Sequence, residues 1–124
     1  MVNFGGVTEN DRKKIVITKD SKAFFHNNVD YCVGTGRMGL ALTEEYQEEL
    51  RLVQKEIGFK HIRGHGLFCD DMAIFQTYEE DGKVRVEYNY TYLDRVMDAY
   101  KKVGLRPFLE LGFMPKKLAS GSQT

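Results

Sequence analysis

The sequence predicts an α/β fold, in which parallel strands alternate along the chain with helices that cover the sheet. Short β-branched and aromatic runs alternate with segments whose apolar residues recur at helical spacing, and turn signals separate the two. The resulting order is strand, helix, strand, hairpin, helix, strand, and such βα units build parallel sheets. An open doubly wound sheet and a closed (β/α)8 barrel both satisfy this order. Since a complete barrel takes about 250 residues, 124 residues could hold only its first three strands and two helices.

The first βα unit is predicted to begin at residue 31. Residues 31–36 form a β-rich run that leads into a glycine loop, and Thr43 is a suitable N-cap for a helix that continues through Ile57. Gly58 supplies the C′ position at which many helices end. The apolar residues that share one face of this helix, at spacings of four, three and four, are Tyr46, Leu50, Val53 and Ile57.

The second strand is predicted at residues 59–63, followed by a hairpin. Residues 74–78 and 84–88 are rich in β-forming residues and flank Asp81-Gly82, which is a strong turn signal. The hairpin is therefore an insertion in the loop that leads to the second helix.

A second helix and a third strand complete the predicted pattern. Thr91, with Asp94 three residues later, is a capping signature for a helix that ends at Gly104. Residues 107–113 predict the third strand, and residues 114–124 predict a loop. The apolar face of the second helix consists of Leu93, Val96, Met97 and Tyr100.

The composition is that of an ordinary globular protein and excludes several classes of function. Eighteen basic and eighteen acidic side chains give a net charge of zero, which argues against nucleic acid or an anionic membrane as a partner. No stretch approaches the roughly 18 apolar residues of a membrane span, and we expect a cytoplasmic protein. Cys32 and Cys69 are expected to be reduced, mostly buried thiols, and the three histidines form no recognised zinc spacing with them, so no metal site is predicted.

The stretch 61–69 carries the strongest functional signal. Arg63 and His65 lie two residues apart, so they share a face of the strand. On a buried parallel strand these two side chains need partners such as carboxylates or ligand hydroxyls. This pattern indicates the floor of a polar pocket, whereas the alternative is a surface strand with two solvated side chains.

Three further features allow two interpretations each. The letters of residues 34–39, GTGRMG, match a dinucleotide fingerprint, but Thr43 is the better helix cap, which favours a tight loop near a ligand. Glu110 lies among apolar residues of the third strand, either as a catalytic acid or, preferably, as an interior charge paired with Arg63. Phe113, at the end of that strand, is either a sugar-stacking platform or a core residue.

Four segments, in order along the chain, resemble the N-terminal third of the bacterial β-xylosidases of glycoside hydrolase family 39, which also contains α-L-iduronidase. These segments are residues 32–42, 62–67, 88–94 and 106–115. The resemblance implies a partial (β/α)8 barrel over residues 31–124, and an N-terminal segment, residues 1–30, in which residues 14–18 could be a strand of the accessory β-sandwich. It also implies that His65 contacts the sugar in the −1 subsite and that Arg63 lies close to the nucleophile.

The resemblance also implies what these 124 residues lack. The family's acid/base residue lies in an Asn-Glu-Pro motif after the fourth strand and its nucleophilic Glu at the end of the seventh, and the sequence contains neither motif. We therefore assign no catalytic residue in this chain and expect no activity from it alone. Its site residues would be His65 and Phe113 for substrate binding, with Arg63 and Glu110 as support.

The expected substrate is a xylo-oligosaccharide or an aryl xyloside, without a cofactor, and unpaired sheet edges make association with further copies of the chain an expectation. A noncatalytic carbohydrate-binding or interaction module is the second hypothesis. A nucleotide-binding α/β domain is the third.

Overall fold

The computed structural model describes Val16 and residues 26–122. The strands are β1 (Cys32–Arg37), β2 (His61–His65), β3 (Phe75–Glu80), β4 (Lys83–Tyr88) and β5 (Arg106–Leu109), and the helices are α1 (Glu44–Glu56) and α2 (Thr91–Lys102). Short 3-10 helices lie at Met38–Leu42, Asp70–Met72 and Lys116–Leu118. Within the described residues, neither α-helix is long and apolar enough to cross a membrane.

The strands form two separate sheets. Parallel strands in the order β1-β2-β5 make the larger sheet, and β3 and β4 form an antiparallel hairpin by themselves. The hairpin turns at Asp81 and Gly82, both with positive φ (53° and 71°), as a two-residue turn between twisted strands requires. The predicted α/β class, the order of the elements and the inserted hairpin are therefore confirmed. The strand suggested at residues 14–18 lies outside the described residues, except for Val16.

Both helices bury the faces that their apolar spacing predicts, with one exception. Leu50 of α1 and Val96 and Tyr100 of α2 are buried in the same core as Met38 and Ile62. Burial raises the pKa of Tyr100 to about 12, and its hydroxyl donates to the Met38 carbonyl over 3.4 Å.

Ile57 is the exception to the predicted stripe. It is 56% exposed, because α1 ends at Glu56 and Ile57 caps it. Gly58 follows with a φ of 76°, so the predicted helix end is correct and the prediction that Ile57 belongs to the apolar face is wrong.

The helix starts lie where the sequence places them, and Thr43 occupies the N-cap position of α1 as predicted. Its hydroxyl donates to the carbonyl of Leu40 over 2.9 Å, however, and makes no capping hydrogen bond to the helix. The predicted cap of the second helix, Thr91, is wrong by one residue. At α2, Asn89 Oδ1 accepts the Thr91 N–H over 2.9 Å, and Tyr90 occupies the N-cap position. At both helices, the Thr therefore makes a hydrogen bond with the preceding turn in place of the predicted side-chain cap.

Two strand boundaries also differ from the prediction. Strand β2 begins at His61 and includes His65 as its last residue, which places the imidazole on the sheet and not in a loop. Strand β5 is shorter than residues 107–113, since it ends at Leu109. Glu110 nevertheless donates its N–H to the Gly64 carbonyl over 3.2 Å, so the backbone stays alongside β2 for one more residue.

Gly64, in the middle strand, lies where a side chain would have no room. A Cβ atom at this position would lie 2.6 Å from Thr35 Cγ2, 2.7 Å from Met38 Cγ and 3.0 Å from the Gly36 carbonyl oxygen. One of these neighbours is backbone, which cannot rotate away. The local packing of β1 and the 3-10 helix on β2 therefore depends on the absence of a side chain at Gly64.

We expect Gly64→Ala to destabilise the polypeptide that carries these residues by about 1–3 kcal/mol, the usual cost of overpacking a filled site. Gly34→Ala is the matched control, because Gly34 also lies in the parallel sheet and a Cβ there has no neighbour within 4 Å. Urea denaturation of the two variants measures the difference. Equal midpoints for both variants would show that the close packing around Gly64 is incorrectly described.

Candidate functional site

The candidate site lies at the carboxyl end of the parallel sheet, on the face opposite the helices. Along β2, Ile62 and Gly64 are buried, whereas Arg63 is exposed and His65 is half-buried. This alternation follows from the pleat, which directs successive side chains to opposite faces. Arg63 and His65 therefore share the face that no described helix covers, as their spacing predicts.

Arg63 forms an ion pair with Glu110, the partner that the sequence suggested. The distance from Nη2 to Oε1 is 3.0 Å, and the side chains are 58% and 31% exposed. The expectation that Arg63 is buried is wrong for the described residues, because the sheet face around it is open. At this exposure water screens the pair, so it contributes on the order of 0–1 kcal/mol to stability.

His65 and Phe113 form the second contact of the site. The ring of Phe113 meets the imidazole edge-on, with centroids 5.3 Å apart and an interplanar angle of 62°. Phe113 is 47% exposed, so it is not a core residue among the described elements. Its φ of 57° is in the left-handed region, which is unfavourable for a bulky side chain. The backbone therefore presents this ring beside His65 at a conformational cost.

One nitrogen of His65 has no partner. Nδ1 is inaccessible to solvent and makes no hydrogen bond to any described residue. A buried polar atom without a partner costs about 1–3 kcal/mol, so a hydrogen-bonding group from a further part of the protein would stabilise this imidazole.

Two depressions border Met114, and Phe113 lines the first of them. One is an open apolar groove of about 330 Å³, and the other is a more polar cleft of about 380 Å³. Aromatic side chains on the groove wall include Phe68, Phe75, Tyr88, Tyr90 and Phe113. The residues of the polar cleft are Arg37, Cys69, Asp70, Asp71, Met114 and Lys116.

The contribution of Arg37 and Asp71 to this edge was missed by the sequence reasoning. No local pattern distinguishes Asp71 from an ordinary loop carboxylate, and Arg37 occurs in the predictions only as a letter of the glycine motif. The signal that could have found Arg37 is its place directly after the glycine turn of the first strand, since residues at the carboxyl ends of parallel strands converge on one edge.

The glycine motif does not have the geometry of a dinucleotide site. Strand β1 continues to Arg37, a 3-10 helix follows, and α1 begins only at Glu44. A pyrophosphate site needs the helix to begin within the motif. Cys32 and Cys69 are half-buried free thiols, and no group of three or more metal-ligating side chains occurs among the residues that the structure describes.

Comparison with known sequences gives matches over most of the chain. Residues 13–124 match the family model for glycosyl hydrolases family 39. The chain is 51% identical over 112 residues to a β-xylosidase of Geobacillus stearothermophilus, covering 90% of the chain and 22% of the relative. It is 37% identical over 94 residues to a β-xylosidase of Caldicellulosiruptor saccharolyticus, covering 75% and 18%. The chain spans about a fifth of the length of these relatives.

Comparison with solved structures also gives matches to GH39 enzymes. A GH39 β-xylosidase from Caulobacter crescentus superimposes with a TM-score of 0.66 at 33% identity, over 74% of this chain and 20% of the other. A GH39 enzyme from Xanthomonas axonopodis pv. citri gives a TM-score of 0.63 at 35% identity, over 74% and 17%. The described α/β arrangement is thus similar to part of these enzymes.

For the Arg63–Glu110 pair, we expect a coupling energy of no more than about 1 kcal/mol in the 124-residue chain, because both groups are partly solvated. A double-mutant cycle of Arg63→Ala and Glu110→Gln, followed by urea denaturation, measures it. The Arg85–Glu80 pair, at 3.1 Å and with 53% and 55% exposure, is the control. A coupling of several kcal/mol at Arg63, with little at Arg85, would mean that the sheet face is closed in solution.

Proposed function

The chain belongs to glycosyl hydrolase family 39, and on this premise we propose that it forms the first part of a retaining glycoside hydrolase that releases xylose from xylo-oligosaccharides and aryl xylosides. The observation that carries the proposal is the 51% identity to a β-xylosidase over 90% of the chain. The open sheet face with Arg63, His65 and Phe113 agrees with it, because sugars are bound by polar groups beside an aromatic ring.

The proposed architecture is a partial (β/α)8 barrel. Strands β1, β2 and β5 would be its first three strands, and α1 and α2 two helices of the outer ring. Support comes from the one-sided cover of the sheet, since a barrel places helices outside and side chains of all strands inside. The outer edges of β1 and β5 are unpaired within the described residues, and in a barrel each would pair with another strand. Residues 14–18 would belong to an accessory β-sandwich.

Each candidate residue has a role in this proposal. The neutral imidazole of His65 would hydrogen-bond a sugar hydroxyl, and the Phe113 ring would pack against the apolar face of the sugar. Arg63 and Glu110 would hold each other in place at the pocket floor. Retaining hydrolysis needs two carboxylates about 5–5.5 Å apart, and we assign neither to this chain. Glu110 is given neither role, because its position in the sequence matches neither of the two catalytic positions of the family.

The free edges of the sheet also support the proposal that the 124-residue chain by itself associates with further copies. A strand edge with unpaired N–H and C=O groups is a template for pairing with another chain. The exposed Phe108 and Leu111 near the β5 edge add apolar area to that surface.

In the full-length polypeptide that carries these residues, we expect His65→Ala to lower kcat/KM for an aryl β-xyloside by roughly ten- to a thousandfold. The lost hydroxyl contact would tighten as the sugar ring distorts, so it stabilises mainly the transition state. Initial rates and melting temperatures of the variant and the wild type measure the effect, and the melting temperature should change little.

His61→Ala is the matched control. His61 lies on the same strand and face as His65, but at its amino end, where Nδ1 contacts the Tyr31 carbonyl oxygen over 3.1 Å. Wild-type kcat/KM in His65→Ala, or equal losses in the two variants, would refute the assignment of His65.

The 124-residue chain alone is expected to release no nitrophenol from an aryl β-xyloside above the buffer rate, because neither the nucleophile nor the acid/base is assigned to it. Xylose titration followed by NMR tests sugar binding in the same sample. Binding without hydrolysis would favour the carbohydrate-binding module as the function of the isolated chain. Hydrolysis that Glu110→Gln abolishes would show that the chain contains a catalytic carboxylate.

A further inference from the structure

The polar cleft at Arg37 has no role in the function proposed so far. Its walls come from residues that follow each of the three parallel strands: Arg37 from the end of β1, Asp71 from the segment after β2, and Lys116 from the segment after β5. Since β2 is the middle strand, the residues around the cleft follow the end of β2 and the ends of its two neighbours. His65 is the last residue of that strand.

Arg37 is adjacent to His65 in the sheet. The two are register partners across the parallel pair β1–β2, and neighbouring strands lie about 4.8 Å apart. The cleft therefore adjoins the proposed sugar contact. Met114 borders both this cleft and the apolar groove, so the surface beside His65 is divided into a polar and an apolar compartment.

The guanidinium of Arg37 has two close neighbours. Nη2 donates to Asp71 Oδ2 over 2.5 Å. Gly66 is also close, because a Cβ atom added there would be 3.8 Å from Arg37 Cζ. Asp70 Oδ1 accepts the Lys116 N–H over 3.2 Å, which fixes the third wall of the cleft. The Arg37 side chain is 49% exposed and the Asp71 side chain 60%, so both keep hydrogen-bonding capacity toward the cleft.

This chemistry fits a second sugar residue. A guanidinium provides several N–H donors in one plane, and the paired carboxylate provides acceptors beside it. Vicinal sugar hydroxyls both accept and donate, so they match this pair of groups. A hydroxyl-free aromatic aglycone has no such match and would lie in the apolar groove instead.

We propose that Arg37 and Asp71 form the polar wall of a second sugar-binding subsite, which receives the sugar next to the one at His65. The inference rests on the proposed function and deepens it, because it assigns the residues that distinguish an oligosaccharide from an aryl glycoside. Arg37 donates to hydroxyls of the second sugar, and Asp71 both orients the guanidinium and accepts from the same sugar.

The test compares two substrates in the full-length polypeptide that carries these residues. Xylobiose places a second sugar in the cleft, and phenyl β-xyloside offers an aglycone without hydroxyls. The variants are Arg37→Ala and Asp71→Asn, with Arg85→Ala as control for loss of an exposed ion pair elsewhere. We expect the ratio of kcat/KM for xylobiose to kcat/KM for phenyl xyloside to fall at least tenfold in Arg37→Ala, and to stay at the wild-type value in Arg85→Ala.

The ratio of the two kcat/KM values distinguishes a sugar-binding role of Arg37 from a purely structural one. If Arg37 only stabilises the loop that contains Asp71, Arg37→Ala lowers kcat/KM for both substrates by the same factor and the ratio is unchanged. That result overturns the inference and leaves the proposed function intact. An unchanged rate on both substrates overturns it equally. If the wild-type polypeptide hydrolyses neither substrate, the proposed function fails and the subsite fails with it.

Discussion

The alternation of side chains along β2 is the constraint on which the rest of the structure depends. Ile62 and Gly64 point into the packed layer, and Arg63 and His65 point to the opposite face. Since β2 is the middle strand of β1-β2-β5, a shift of one residue would expose the apolar residues and bury the charged ones. Gly64 fixes this register sterically, because Thr35 and Met38 occupy the space that any Cβ there would need.

The candidate functional edge follows from that register. With β2 fixed, Arg37 and Asp71 meet Lys116 in one cleft although they are far apart in sequence. Phe113 meets His65 at the end of β2. Arg63 and His65 lie on the face of the sheet that no described helix covers. Phe113 lines the apolar groove. The candidate binding residues and the core residues of β2 therefore lie on opposite faces of the strand.

Much of this arrangement could be predicted from sequence, and the failures have physical causes. The spacing of Leu50, Val96 and Tyr100 identified the buried helix faces, because helical periodicity reports directly on burial. The N-cap position was correct at Thr43 and wrong by one residue at Thr91, and in both places the Thr makes a hydrogen bond with the preceding turn that the capping pattern does not predict. The ion pair of Arg63 with Glu110 was predicted, but not its exposure, and the Arg37–Asp71 pair was missed. Contacts between residues 34 positions apart depend on how loops converge, which local patterns do not specify.

The most direct test of the central claim, that these residues form the substrate-binding first part of a family 39 glycosidase, is a chimeric enzyme. Residues 13–124 would replace the matching segment of the Geobacillus stearothermophilus β-xylosidase, with which they share 51% identity. Hydrolysis of aryl β-xyloside by the chimera is then measured together with its melting curve. The account predicts activity within about tenfold of the parent enzyme and its loss on His65→Ala. A chimera that melts cooperatively but does not hydrolyse the xyloside would contradict it.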